Sequence, residues 1–105
     1  MVDQYLFNSS GEYIAFRKGK YVYDNNSNWM GWLPWEDGEV VNKFGEYIAT
    51  IFEDRLYTSS RRDFKDHPGY TDFPGHVGSV DYPDYPGSKS IPAFMTDIDF
   101  DTIEL

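Results

Sequence analysis

The sequence contains no cysteine. A disulfide framework, a thiolate nucleophile and cysteine-based zinc or iron–sulfur sites are therefore excluded. The N-terminus has no basic segment followed by an apolar stretch, so we expect no secretory signal. Both features are compatible with the cytoplasm, which is the location that the sequence predicts.

Long apolar runs and basic charge are also scarce. No run approaches the ~20 apolar residues that cross a bilayer, so we expect no membrane partner. The 9 basic residues are outnumbered by 18 acidic ones, which gives a net charge of −9. Such a surface repels phosphates, so we expect no nucleic-acid partner. The length of 105 residues predicts a single domain, 1–105.

Aromatic residues are abundant. The 3 Trp, 9 Tyr and 8 Phe make up 19% of the chain. Because a large ring buries much area, even a short chain can build a core from such residues. The composition is typical of short strands that have one face in water.

A repeated segment organises the first half of the chain. Residues 4–16 and 20–32 share one frame at an offset of 16 positions, and residues 39–51 follow it after one deletion. The frame is apolar, Asn or Asp, two variable residues, Gly or Ser, a polar residue, an aromatic, Ile or Met, then Ala or Gly. Equivalent positions are Asn8, Asp24 and Asn42, then Tyr13, Trp29 and Tyr47, then Ala15, Gly31 and Ala49.

Each copy predicts a β-hairpin. Asn or Asp bends the chain by bonding to backbone amides, Gly accepts positive φ, and β-favouring residues lie on either side. A lone hairpin is marginal in water, so the hairpins must pack together, as a ring or small barrel or in a propeller-like form. The predicted hairpin units are 4–19, 20–38 and 39–55. A split fourth unit over 56–80 would open at Leu56 and close with residues 75–80, around an expanded loop.

The repeat frame, with Gly-Glu-Tyr-Ile-Ala and Trp-Met-Gly-Trp-Leu-Pro-Trp, resembles the 4-fold β-flower proteins. The proline- and glycine-rich stretch that follows is similar to the sequence after the repeats in that family. The resemblance implies an all-β fold of four hairpins about a pseudo-fourfold axis. It implies no activity and no cofactor.

The second half of the chain is different in composition. Residues 66–92 hold five of the six prolines, three of them in Pro-Gly pairs that favour type II turns. Residues 93–105 regain an alternation of apolar and acidic residues. They predict a closing edge strand whose charges oppose aggregation.

Tryptophans are the first candidates for binding. Trp29 occupies the aromatic position of the repeat, which favours the core for it. Trp32 and Trp35 are candidate binding residues, because flat rings stack on sugars, Pro-rich peptides or methylammonium groups. Trp35 has no equivalent in the first repeat and is the best candidate for an exposed ring.

Four further residues are candidate binding residues in the second half. Tyr82 and Tyr85 lie in Tyr-Pro-Asp-Tyr-Pro-Gly, which is either a recognition segment or an ordered loop packed by its rings. Arg61 and Arg62 form a basic spot on an acidic protein. They would contact either an anionic partner or the acidic C-terminal segment.

Metal binding and catalysis receive little support from the sequence. Residues 24–28 place oxygen ligands at calcium-loop spacing, but they lack the sixth-position Gly and the twelfth-position Glu. We therefore expect no metal site and no cofactor. The leading interpretation is a non-enzymatic module that binds a protein or small ligand. The alternative is a small hydrolase-like enzyme that uses carboxylates with His67 or His76.

Overall fold

A computed structural model describes residues 2–35, 37–60, 68–69, 71, 73–75, 77–78 and 80–98. These residues form strands and turns with no helix, so no helix in this part of the chain could span a membrane. The strands are β1 (Gln4–Phe7), β2 (Tyr13–Lys18), β3 (Tyr21–Asp24), β4 (Trp29–Trp32), β5 (Glu39–Val41), β6 (Tyr47–Phe52), β7 (Arg55–Ser59) and β8 (Met95–Asp97).

The strands form a closed barrel. Each of β1 to β6 pairs antiparallel with the next strand in the sequence, and β1 pairs in parallel with β7 where Phe7 lies opposite Arg55. At this seam the Phe7 amide donates a hydrogen bond of 2.9 Å to the Asp54 carbonyl. β8 adds to β7 as an eighth, antiparallel strand. The predicted all-β class is thus confirmed, as a seven-stranded barrel with one extra strand.

The first three hairpins share one register and one β-bulge. Leu6 lies opposite Ala15, Val22 opposite Gly31 and Val40 opposite Ala49. The next pair in each hairpin skips a residue on the second strand. A bulge of this kind interrupts the strict alternation of faces, so successive residues such as Met30 and Gly31 are both buried. The skipped residues are Ile14, Met30 and Ile48.

The loops of these three hairpins also share their hydrogen bonds. In each loop the side-chain oxygen of Asn or Asp accepts from the amides two and four residues on, at 2.8–3.1 Å. One short polar side chain therefore holds the whole reversal. The residues are Asn8, Asp24 and Asn42.

The core fills the inside of the barrel with residues from β1 to β7. Its buried residues are mostly aliphatic, and Gly31 is the tightest point of the wall. A β-carbon on Gly31 would overlap the carbonyl oxygen of Val41 and lie 3.2 Å from Cδ1 of Ile48. The small residue of the frame is therefore required here by the approach of β5. The core residues are Leu6, Ala15, Val22, Met30, Val40, Ile48, Ala49 and Leu56.

The strand that pairs with β7 differs from the sequence-based prediction. The predicted closing segment was 75–80, whose described residues (75, 77, 78 and 80) belong to no strand. β7 pairs instead with β8, where Tyr57 lies opposite Asp97. β8 falls within residues 93–105, for which the sequence predicts an edge strand. Gly75 and Gly78 both have positive φ, which does not fit an extended strand. Residues 99–105 lie outside the described part.

Candidate functional site

The first candidate site is a pocket of about 620 Å³ at one end of the barrel. We call it the mouth pocket. Leu33 and Ile51 line it and also pack against the core, so its apolar floor is the end of the barrel interior. Its described lining residues are Gln4, Arg17, Gly19, Lys20, Leu33, Pro34, Trp35, Gly38 and Ile51.

The charged groups that line the mouth pocket are cationic. Arg17 lies near the end of β2, and Lys20 lies in the turn between β2 and β3. The Arg17 Nε atom is buried and has no hydrogen-bond partner among the described residues. The Lys20 ammonium lies 5.8 Å from the centre of the Trp32 ring. No described lining residue is a carboxylate or a histidine, although the chain carries a net charge of −9.

The structure separates the two candidate tryptophans. Trp35 lines the mouth pocket and is half-buried, which corrects its expected exposure, because it lies against the barrel end that it helps to close. Trp32 does not line this pocket in the described structure. Its indole donates a hydrogen bond of 3.2 Å to the Asn42 carbonyl, and it pairs with Val41 between β4 and β5.

A second pocket, of about 390 Å³, lies beside the β1–β2 turn. We call it the tyrosine pocket. The segment that contains Tyr82 and Tyr85 covers this turn and brings the Tyr82 ring to that of Tyr13. The described lining residues are Phe7, Gly11, Glu12, Tyr13, Asn25, Tyr82, Pro83, Asp84 and Tyr85.

Specific contacts hold the two candidate tyrosines on the barrel. The Tyr82 ring meets Tyr13 edge to face with 5.0 Å between centroids, and the Tyr85 hydroxyl donates a 3.0 Å hydrogen bond to the Ser10 carbonyl. Tyr85 also passes over Gly11, where a β-carbon would overlap its ring. The two side chains nevertheless remain 70% and 71% exposed. The rings are thus anchored at one edge while their faces remain accessible.

Tyr13 lies at the centre of the aromatic cluster. Its ring also contacts Tyr5 at 5.5 Å and Phe7 at 6.3 Å, and its hydroxyl oxygen is buried without a hydrogen-bond partner among the described residues. Burial, with smaller effects from Tyr5, Tyr82 and Asp24, raises the pKa of Tyr13 to about 12. The surroundings of this phenol therefore disfavour negative charge.

A buried arginine joins the tyrosine pocket to the barrel seam. Arg55 is fully buried; its Nε donates to the Asp54 carboxylate and its Nη1 to the Asn8 carbonyl, both at 2.9 Å. Its guanidinium carbon lies 5.7 Å from the centre of the Phe7 ring, so this cation is held behind the pocket wall. Lys89 also reaches Asp54, at 3.2 Å.

The charges at this seam set the pKa of the Asp54 carboxyl. Burial acts to raise it, but the hydrogen bond from Lys89 and the charges of Arg55 and Lys89 act together in the opposite direction. The net result is a pKa below the usual aspartate value. The carboxylate is therefore stabilised as an ion that ties the 80–92 segment to the β6–β7 turn.

No family model, curated protein or solved structure matches this chain. Among the described residues, no group of three or more His, Cys, Asp or Glu side chains could hold a metal ion. In the calcium-like segment, the Asp24 carboxylate accepts hydrogen bonds from the amides of Asn26 and Asn28. The carboxylate thus serves the turn.

Four candidate residues lie outside the described part of the chain: Arg61, Arg62, His67 and His76. Their predicted roles in anion contact and in catalysis stay predictions.

Sequence reasoning missed Arg17, Lys20 and Tyr13 as pocket residues. Lys20 flanks a glycine turn, which is a visible signal, whereas Arg17 reads as an ordinary surface position of β2. Tyr13 occupies the aromatic position of the repeat frame, which by itself indicates no binding role. What gives it a second role is the return of residues 82–85 to the first turn, a contact across about 70 positions that no local pattern encodes.

Proposed function

We propose that the chain is a non-enzymatic binding module, and that the mouth pocket holds a small organic anion with a flat apolar face. One observation carries this proposal. Arg17 and Lys20 share a pocket with Trp35 over an apolar floor, and the described lining holds no carboxylate. A volume of about 620 Å³ suits a small ligand better than a macromolecule.

The chemistry of the lining selects the ligand class. The Arg17 guanidinium lines the pocket and can donate to a carboxylate or sulfonate, and such charge-assisted hydrogen bonds are the stronger kind. Lys20 adds a second positive charge, while Trp35, Leu33 and Ile51 offer apolar surface to a ring. The positive charges of Arg17 and Lys20 would thus attract an anion to this concave site, although the net charge of the protein repels anions from the rest of the surface.

The residues that line the mouth pocket also favour binding over catalysis. General acid–base chemistry commonly uses a histidine or a carboxylate, and the described lining of the mouth pocket holds neither. The alternative of a hydrolase that uses His67 or His76 rests on residues outside the described part of the chain and stays a prediction. An acidic surface also continues to argue against a nucleic-acid partner.

We also propose that the barrel is a β-flower of four hairpin units, with β7 and β8 as the fourth. Leu56 lies in the core with Leu6 and Val22, and its neighbour Tyr57 pairs with Asp97, the residue before Ile98. Ile98 packs on that core. In this proposal the proline- and glycine-rich sequence between β7 and β8 connects the two strands of the last unit.

The test of the binding proposal is a titration with benzoate, and with uncharged benzamide as its isostere. Heteronuclear NMR should show saturable shifts of mouth-pocket amides with benzoate, and weaker binding of benzamide. Arg17→Gln should weaken benzoate binding roughly tenfold, the value of a charged hydrogen bond. Trp35→Ala should weaken both compounds together, because it removes ring contact without changing the charge.

The matched control is Lys43→Gln, which removes the same charge at the β5–β6 turn, beside the Phe44 ring. It should leave benzoate affinity almost unchanged. Equal binding of benzoate and benzamide, or equal losses in Arg17→Gln and Lys43→Gln, would mean that the pocket does not select anions, and the proposal would be abandoned.

A further inference from the structure

The tyrosine pocket has the opposite chemistry to the mouth pocket and needs an explanation of its own. Four aromatic residues, Phe7, Tyr13, Tyr82 and Tyr85, share it with the carboxylates of Glu12 and Asp84. None of its described lining residues is a lysine or an arginine. Aromatic faces and carboxylates both attract cations, so the two components of the lining favour the same kind of ligand.

We propose that the tyrosine pocket is a second ligand site, and that it binds a trimethylammonium group. Such a group is large, carries a diffuse charge and is weakly hydrated. Its attraction to aromatic faces therefore compensates for the hydration that it loses on binding. A volume of about 390 Å³ lies at the small end of ligand pockets and fits a head group of this size. A compact metal ion would instead require several converging oxygen ligands.

The pocket is organised before any ligand arrives. The edge-to-face contact with Tyr13 holds Tyr82, and the hydrogen bond to the Ser10 carbonyl holds Tyr85. The Lys89 amide donates 2.9 Å to the Ser9 carbonyl and fixes the far end of the segment. The pocket wall is thus ordered in the folded state, so less conformational entropy is lost when a ligand binds.

The surrounding charge strengthens the preference for a cation. The lining contains the uncharged Tyr13 ring together with Glu12 and Asp84, and the whole chain carries a net charge of −9. A surplus of negative charge raises the local concentration of cations at low salt. The Arg55 guanidinium lies beside the Phe7 ring, which leaves Tyr13, Tyr82 and Tyr85 as the rings that receive the ligand.

The experiment is a titration of the full chain with choline and with dimethylbutanol, which has the same shape and no charge. Choline should shift the amides of Gly11, Asn25 and Asp84 saturably, and the alcohol should bind about 3- to 30-fold more weakly. Tyr85→Ala should weaken choline binding, whereas Tyr85→Phe, which keeps the ring, should retain most of it. Equal affinity for choline and the alcohol, or no saturable binding of choline, overturns the proposal.

A second variant pair keeps the test decisive if Tyr85→Ala disturbs the segment. Asp84→Asn removes a lining carboxylate, and Asp81→Asn removes an exposed one from the same segment that does not line the pocket. Only Asp84→Asn should weaken choline binding, by a few-fold. Equal losses would show that net charge alone attracts choline, which overturns the site.

One further experiment distinguishes a small molecule from a modified protein as the source of the trimethylammonium group. A short peptide that contains trimethyllysine is compared with free choline and with the same peptide carrying unmodified lysine. Tighter binding of the methylated peptide identifies a modified protein as the source, and tighter binding of choline identifies a small molecule. Equal binding of the methylated and unmodified peptides contradicts the proposal. Trp35→Ala should leave every choline result intact, so failure of the mouth-pocket proposal is recognised separately.

Discussion

The two pockets of this barrel are built from the same repeat and have opposite chemistry. The mouth pocket places Arg17 and Lys20 around Trp35. The tyrosine pocket places Glu12 and Asp84 around several phenol rings. The first is formed by barrel elements and the turns between them, whereas the second exists only because residues 82–85 return to the first turn.

This difference shows where a repeated fold gains individual sites. The shared frame fixes the bulge, the Asx turn and the small core residue, which are the same in three hairpins. Positions that the frame leaves free, such as Arg17 and Lys20, decide the charge of one pocket. A segment outside the frame decides the charge of the other. Ligand chemistry can thus change without a change in the barrel.

The largest expected effect is on Gly31, which lies in the barrel wall against the Val41 carbonyl. Gly31→Ala forces a β-carbon into the Val41 carbonyl oxygen, and backbone cannot move away cheaply. We expect the free energy of unfolding to fall by about 3 kcal/mol, with both choline and benzoate binding reduced. Urea denaturation measures the loss.

The control for Gly31 is Ala49→Gly, the opposite exchange at the equivalent position of the third hairpin. It should cost only about 1 kcal/mol, the entropic cost of glycine in a strand. If the two variants lose equal stability, the close contact of β4 with β5 is not the reason for glycine at 31.

The next effect should separate the pockets. Gly11 has φ of +91°, and a β-carbon there would overlap the Tyr85 ring and lie 2.8 Å from the Gly87 carbonyl. Gly11→Ala should cost about 2 kcal/mol, displace the 82–85 segment and abolish choline binding while benzoate still binds. Gly19→Ala is the control, since φ there is +62° and no atom lies within 4 Å of the added carbon.

Gly19→Ala should therefore show only the backbone cost of about 1 kcal/mol and keep choline binding. Loss of choline binding in both variants would mean that turn strain, and not the contact with Tyr85, controls the tyrosine pocket. Calorimetric unfolding and the choline titration together decide between these outcomes.

Much of the barrel was predictable from residues 4–55, because its information is local. The turns are indicated by Asn8, Asp24 and Asn42. The close approach of neighbouring strands in the barrel wall is indicated by the small residues at 15, 31 and 49. The bulge explains why the strands showed only partial alternation. The partner of β7 was not predictable, since β8 lies 35 residues beyond the end of β7 and strand pairing over such a separation leaves no local signal.

The sites were predictable only in part. Trp35, Tyr82 and Tyr85 stand out because they fall outside the frame, and each lines a pocket. Their partners did not stand out. Arg17 and Tyr13 occupy strand positions where a surface or packing role explains the residue equally well, and only the folded chain shows which side chains meet at a pocket.

A smaller effect concerns the titration of Tyr13, whose pKa is raised to about 12. Because the pKa of Tyr13 is higher in the folded chain than in the unfolded chain, the Tyr13 phenol contributes stability to the fold. That stability is fully present below about pH 10 and is lost as the pH rises towards 12. Tyr82→Ala should lower the pKa of Tyr13 and shrink that loss, because it exposes the hydroxyl to water. NMR of the ring carbon that bears the hydroxyl measures the pKa.

Ligands should affect this pKa differently, which sharpens the comparison between the pockets. Choline should lower the pKa of Tyr13, since a bound cation stabilises the phenolate, and benzoate should leave it unchanged. A shift caused by benzoate would show that the two pockets communicate.

The smallest effect is expected at the seam between the 80–92 segment and the barrel. Lys89→Gln removes the hydrogen bond and the charge that help to lower the pKa of Asp54, while burial, which raises it, remains. The pKa of Asp54 should therefore rise. A lowered folded-state pKa contributes stability above the ordinary aspartate value of about 4, and that stability is lost as the pH falls below it. The variant should begin to lose stability at a slightly higher pH than the wild type, as followed by carboxyl-carbon NMR and acid unfolding.

Choline affinity should fall only slightly in Lys89→Gln, because the amide of residue 89 still binds the Ser9 carbonyl, and benzoate affinity should not change. An unchanged pKa of Asp54 would show that Lys89 does not hold this carboxylate in solution. The segment would then be attached to the barrel through Tyr82, Tyr85 and the backbone bond from the Lys89 amide to the Ser9 carbonyl, without the ion pair.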